Sequence, residues 1–143
     1  MPKLHIFAVC EKVIMDENKN ASLIVLIENI NVAPGQEKIP RDAVTPKEWA
    51  IFTQWVLSEE EQDKPFVQIM QALWPDGTEF NKTSHPLPTQ KVAVKQLNMG
   101  VVGMPVGQEG KITLKLWLEL ESSPVTEVFV KNLNIIYPKE QEK

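Results

Sequence analysis

Two histidines, one cysteine and four tryptophans are the side chains from which this chain could build chemistry or recognition. His5 alternates within an apolar run and reads as a hydrogen-bonded structural residue. His85, in a proline-rich stretch, is the better functional candidate. Neither has a second imidazole or a thiolate at metal-ligand spacing. Cys10 lies in an apolar strand pattern with no His or Lys in a recognisable partner arrangement, so it reads as a buried, inert thiol. As the only cysteine it can form no disulfide within the chain. The acidic run Glu59-Glu60-Glu61 lacks the alternating oxygen ligands and central glycine of a calcium loop. No nucleophile elbow, phosphate-binding loop or dinucleotide fingerprint is present. Hydrolysis by paired carboxylates would need acidic residues converging in one groove, and no spacing marks such a pair. The expectation is a non-catalytic protein with no cofactor and no metal.

The tryptophans carry more information. Trp49 and Trp55 fall on one face of a strand with Ile51, Thr53 and Leu57, which is a core face. Trp74 directly precedes Pro75-Asp76-Gly77, at the edge of a core or of a ligand site. Trp117 stands apart, because it interrupts a face that is otherwise polar. Residues 111–121 alternate for eleven positions: Ile112, Leu114, Leu116, Leu118 and Leu120 point one way. Lys111, Thr113, Lys115, Trp117, Glu119 and Glu121 point the other, as in a strand with one face on a core and one in water. In the next strand Phe129 or Val130 would lie opposite Trp117, depending on register.

The remaining elements must position these side chains. Residues 4–15 and 21–32 are apolar runs around the turn-forming Asp16-Glu17-Asn18-Lys19-Asn20, which reads as a hairpin. Ile24, Val25, Leu26 and Ile27 carry apolar side chains on both faces, as an inner strand would. A proline-rich loop over 33–46 follows. Residues 49–57 are favoured as a strand, although Thr45-Pro46-Lys47-Glu48 has the form of a helix capping box. Residues 58–65 read as a solvated acidic connection. Residues 66–74 read as a strand that ends at a turn where proline fixes φ and glycine accepts positive φ. Residues 78–80 are expected to return as a short strand, 81–90 to be loop, and 92–102 to be extended with a bend at Gly100 or Gly103. In the last run, 126–137, the apolar parity changes, which predicts a bulge near Lys131-Asn132. Seven to eight short strands and no long amphipathic helix predict an all-β, single antiparallel β-sandwich with an Ig-like or C2-like outline. It would span 1–138, with 139–143 a charged tail.

Composition narrows the partners. A chain of 143 residues with 43% hydrophobic and 24% charged side chains has the balance of one globular domain. The net charge of −4 argues against nucleic acid, which asks for a basic footprint. No segment reaches the ~20 apolar residues of a membrane span. The first apolar run meets Glu11 and Lys12 too soon for a signal peptide, so a cytoplasmic location is expected. The sequons at Asn20 and Asn81 carry little weight without secretion.

Phe7-Ala8-Val9-Cys10-Glu11, Asp16, Ser22-Leu23-Ile24, residues 49–55, Pro75-Asp76-Gly77 and Gly110 together span most of the chain. In these elements it resembles a family of small bacterial and phage β-sandwich proteins of unknown function. The resemblance implies a single antiparallel sandwich with 49–55 as a strand, and it supplies no activity. The leading expectation is an interaction or assembly module that binds a protein partner or itself, with Trp117, Lys115 and Phe129 as contacts. The runner-up is a carbohydrate- or small-ligand-binding sandwich in which Trp74 and Trp117 stack on the ligand.

Overall fold

The computed structural model describes residues 1–32, 40 and 42–137. Every regular element in them is a strand: β1 (Lys3–Met15), β2 (Ala21–Leu26), β3 (Asn29–Asn31), β4 (Val44–Val56), β5 (Val67–Leu73), β6 (Glu79–Pro86), β7 (Val94–Pro105), β8 (Gly110–Leu120), β9 (Ser123–Pro124) and β10 (Phe129–Ile136). A four-stranded sheet has the order β2-β1-β4-β7. A six-stranded sheet runs β3-β10-β8-β5-β6, with β9 paired to β8. Buried side chains from both form one apolar core, including Val9, Trp49, Ile51 and Trp55 from the first sheet and Met70, Leu114, Leu116 and Leu133 from the second. Most of the loop expected at 33–46, and the tail expected at 139–143, lie outside the described residues.

The all-β expectation holds, and residues 49–56 of the expected 49–57 belong to the sheet. β4 is hydrogen-bonded to β1 on one side and β7 on the other, so its β-branched and aromatic residues have strand partners along their length. The capping-box residues are drawn into the same strand. Their irregularity survives as a bulge between Thr45 and Glu48, across from Met104 and Val102. Gly103, with φ of 105°, takes up the distortion on β7. The Pro75-Asp76-Gly77 turn forms as read. Gly77 has a φ of 90°, and Asp76 accepts hydrogen bonds from the Thr78 backbone N–H and hydroxyl at 3.0 and 2.6 Å.

Five local expectations are corrected. The described residues form ten strands, more than the seven or eight expected. The sheets are mostly, not wholly, antiparallel, because β3 pairs parallel with β10. The cause lies in the run from 21 to 32. The Ile27 N–H still donates to Val9 in the smaller sheet at 2.7 Å, while the Glu28 carbonyl accepts from Asn134 in the larger one at 2.8 Å. The chain thus passes from one sheet to the other without reversing. This split also leaves β2 at a sheet edge, where an inner strand was expected. In β10 the register to β8 runs unbroken from Phe129 to Ile135, so no bulge lies at Lys131-Asn132. Val128 and Val130 point into solvent, and the parity of the core face never changes. Finally, β6 extends to Pro86, so much of the loop expected after residue 80 is strand and His85 stands on it.

One carboxamide joins the two sheets inside the core. Gln68 of β5 is fully buried, and its Oε1 accepts the Thr53 hydroxyl at 2.7 Å and the Trp55 indole N–H at 2.8 Å, both from β4. Its Nε2 points at Met99 Sδ, 3.5 Å away. The Trp55 ring then meets Phe129 of the larger sheet edge-on, with centroids 5.9 Å apart. Replacing Gln68 by leucine strands two buried donors, each of which costs about 1–3 kcal/mol when left unpaired. Gln68→Leu is therefore expected to destabilise the fold by roughly 2–4 kcal/mol in urea unfolding. A loss below about 1 kcal/mol would mean that the amide does not join the sheets.

Candidate functional site

Alternation in β8 builds the outward face of the larger sheet. With Ile112, Leu114, Leu116 and Leu118 buried in the core, Lys111, Thr113, Lys115, Trp117 and Glu119 must point away from it. Register then supplies their neighbours. Trp117 lies opposite Ile69, Lys115 opposite Gln71, and Glu119 opposite Val67 on β5. On the other flank Lys115 lies opposite Val130 of β10. One strand further out, Gln71 faces Lys82 and Ile69 faces Ser84 on β6.

Trp117 is the centre of this face. Its ring is half-buried, its Nε1–H donates to Glu119 Oε2 at 2.9 Å, and Lys82 Nζ stands 5.8 Å from the ring centroid. Such a cation–π contact at an exposed site contributes about 0.5–1 kcal/mol. Ile69 is only 7% exposed although it points away from the core, as expected for an aliphatic side chain directly across from an indole. The patch is thus an aromatic–aliphatic pair rimmed by lysines and Glu119 on the outward face of the sheet. Grooves of about 640 and 500 Å³ lie elsewhere, the first against the outward face of the smaller sheet and the second beside β2 and β3.

The four residues proposed from sequence separate in the fold. Trp117 and Lys115 share the outward face of the larger sheet. Phe129 lies opposite Leu116, not Trp117, and turns inward to Trp55. Trp74 is 8% exposed and packs edge-on against Phe80 with centroids 5.1 Å apart. Two residues of the patch were missed. Lys82 fell in a stretch read as loop, because edge strand β6 is polar on both faces beyond Phe80 and carries no alternation there. Ile69 looked like ordinary core, since β5 has apolar residues on both faces and only register distinguishes them.

The remaining reactive groups are set apart from this face. Cys10 is fully buried, and burial pushes its thiol above its ordinary value. Lys95 is buried, and its ammonium donates to the backbone carbonyls of Gln62 and Pro88, tying the acidic connection to the segment after β6. Burial pulls that ammonium below its usual range, against the attraction of Asp63. The acidic connection is also less open than expected, because the buried Glu61 accepts from the Ser58 N–H and hydroxyl at 2.9 and 2.8 Å. His5 is exposed, while His85 Nδ1 is buried without a hydrogen-bond partner. Among the described residues no three His, Cys, Asp or Glu side chains gather as a metal site, and no helix is long and apolar enough to cross a membrane.

The chain matches no protein-family model and no curated protein. Its site is read from geometry alone.

Two outcomes follow. Trp49, Trp55 and Trp74 are buried and Trp117 is not, so acrylamide should quench one accessible class of tryptophan, and Trp117→Phe should abolish it. Quenching that persists in Trp117→Phe would contradict the placement. The Cys10 thiol, held neutral in the fold, contributes stability present below the unfolded thiol's pKa and lost as pH rises through the raised native value. At pH 8 it should stay unreactive toward a disulfide reagent until urea unfolds the protein. Rapid reaction of the native protein would refute its burial.

Proposed function

We propose that this chain is a non-catalytic interaction or assembly module that binds a protein partner through the outward face of the larger sheet, centred on Trp117 and Lys115. The carrying observation is Trp117, half-buried on a sheet face whose other side forms the core. The core does not need this ring, since β8 already fills its inward side with leucine and isoleucine. Tryptophan is enriched at binding hot spots, where its large apolar body and single donor serve recognition. Ile69 supports the ring, and Lys82 and Lys115 favour a partner surface with acidic groups at its rim. A sheet face suits a protein partner better than a small ligand, which is usually held in a concave site. A sugar-stacking platform built from two tryptophans is not favoured, because Trp74 is turned into the core. The matching fold reading is an Ig-like or C2-like sandwich, supported by two packed, mostly antiparallel sheets, with a cytoplasmic location as the default.

The test is quantitative capture of binding proteins from an extract of the source cells, comparing wild type with Trp117→Ala and Lys115→Glu. A hot spot of at least 2 kcal/mol predicts roughly thirtyfold weaker binding for Trp117→Ala, while Val102→Ala on the smaller sheet retains it. Equal binding by all variants would refute the assignment. Titration with a panel of oligosaccharides should leave tryptophan fluorescence unchanged, and a saturable shift lost in Trp117→Ala would favour the sugar-binding alternative.

A further inference from the structure

We propose that two copies of this chain associate through β2, pairing it antiparallel with its counterpart across a twofold axis to make one continuous eight-stranded sheet. Four strands end the two sheets of the fold: β2 and β7 in the smaller, β3 and β6 in the larger. An unpaired strand edge is a template for another strand, and proteins blunt it with brevity, charge, proline or bulges. β3 has only three residues. β6 carries Glu79, Lys82 and Pro86. β7 contains two glycines, faces the bulge in β4 and ends at Pro105. β2, Ala-Ser-Leu-Ile-Val-Leu, has six residues with no charge, glycine or proline. Apart from the left-handed Val25, nothing in it blunts the edge, and it is the least defended edge among the described strands.

The same strand leaves unusual apolar surface in water. Ile24, Val25 and Leu26 are 41%, 55% and 62% exposed, and Ile14 and Met15, opposite Ser22 and Ala21 toward the turn of the same hairpin, are exposed as well. Val25 has a φ of 54°, a left-handed conformation that is an outlier for a β-branched residue. A hairpin that served only as a sheet border would have no reason to collect these side chains.

The occupant is a second copy because the strand complements itself. A twofold axis perpendicular to the sheet keeps each side chain on its own face, so residues of the same parity must pair. Centring the axis on Ile24 sets Ile24 against Ile24 of the second copy, Val25 against Leu23, Leu26 against Ser22 and Ile27 against Ala21. All three exposed residues then meet apolar or small neighbours. Opposite charges flank the strand, and this pairing brings Lys19 of one copy within one position of Glu28 of the other. Like charges meet nowhere along it.

Sedimentation equilibrium over a range of concentrations tests the pairing. Wild type should rise from a mass of 16.2 kDa toward twice that value. Ile24→Lys sets two ammonium groups against each other on the axis and should weaken the dimer at least tenfold, while Val102→Lys, on the opposite edge of the sheet, should leave it unchanged. Near-ultraviolet circular dichroism checks that each variant is folded. In a Cys10→Ala background, Ile24→Cys should form an intermolecular disulfide on mild oxidation, because paired strands bring opposite Cα atoms to about 4.5–5.5 Å. A wild-type monomer at every concentration, or a dimer indifferent to Ile24→Lys that forms no Ile24→Cys crosslink, would overturn the proposal. Trp117→Ala should dimerise normally, so this pairing and the binding face of the larger sheet succeed or fail separately.

Discussion

The Gln68 carboxamide is the constraint on which the sandwich depends. Two sheets packed through leucines and isoleucines alone could slide by a residue at little cost, because apolar contact is non-directional. A buried carbonyl oxygen that must accept from both Thr53 and Trp55 allows one alignment. Trp55 then fixes Phe129, and Phe129 fixes the start of β10 against β8. Two further bonds hold the rest of the core. The Trp49 indole donates to the Gly103 carbonyl at 2.9 Å, which secures β4 to the bend in β7. The Tyr137 hydroxyl donates to the Val106 carbonyl at 2.7 Å, tying the chain beyond β10 to the end of β7. Four aromatic or hydroxyl donors thus position the strands that display the outer surfaces.

With the core satisfied from inside, what remains outside is informative. β4 is buried on both faces, with Ala50 and Phe52 covered on its outward side, and a groove of about 640 Å³ opens beside it on that face. The larger sheet is different. Its outward face keeps an indole and an aliphatic partner, with Lys82 over the ring, Glu119 bonded to it and Lys115 two positions along β8. That set of charged side chains around an aromatic ring is not required by packing. It is the basis for locating recognition there.

Legibility in the sequence followed side-chain contrast. β8 was readable because apolar and polar residues alternate without exception until Trp117, and β4 because its tryptophans keep one parity. Where contrast failed, so did the reading. Ile24 to Ile27 present apolar groups on both faces, and that pattern is common to a strand buried on both sides and to an edge strand awaiting a neighbour. β6 fails from the opposite cause, being polar on both faces beyond Phe80, and Lys82 was lost with it. Val128 and Val130 imitated a core face because valine is at home in strands whether or not it is buried. Phe129 was misassigned in consequence. The Gln68 clamp has no sequence signature, since a glutamine among apolar residues reads as a solvent-facing position until register sets it against Thr53 and Trp55.

Hydrogen exchange of the four indole N–H groups, followed by NMR, tests the central division between inner and outer surfaces most directly. The Trp55 proton, enclosed with Gln68, should exchange only through global unfolding and report the full stability of the fold. The Trp117 proton, bonded to Glu119 on the outer face, should exchange orders of magnitude faster by local opening. Comparable protection at Trp55 and Trp117, or rapid exchange at Trp55, would contradict the account.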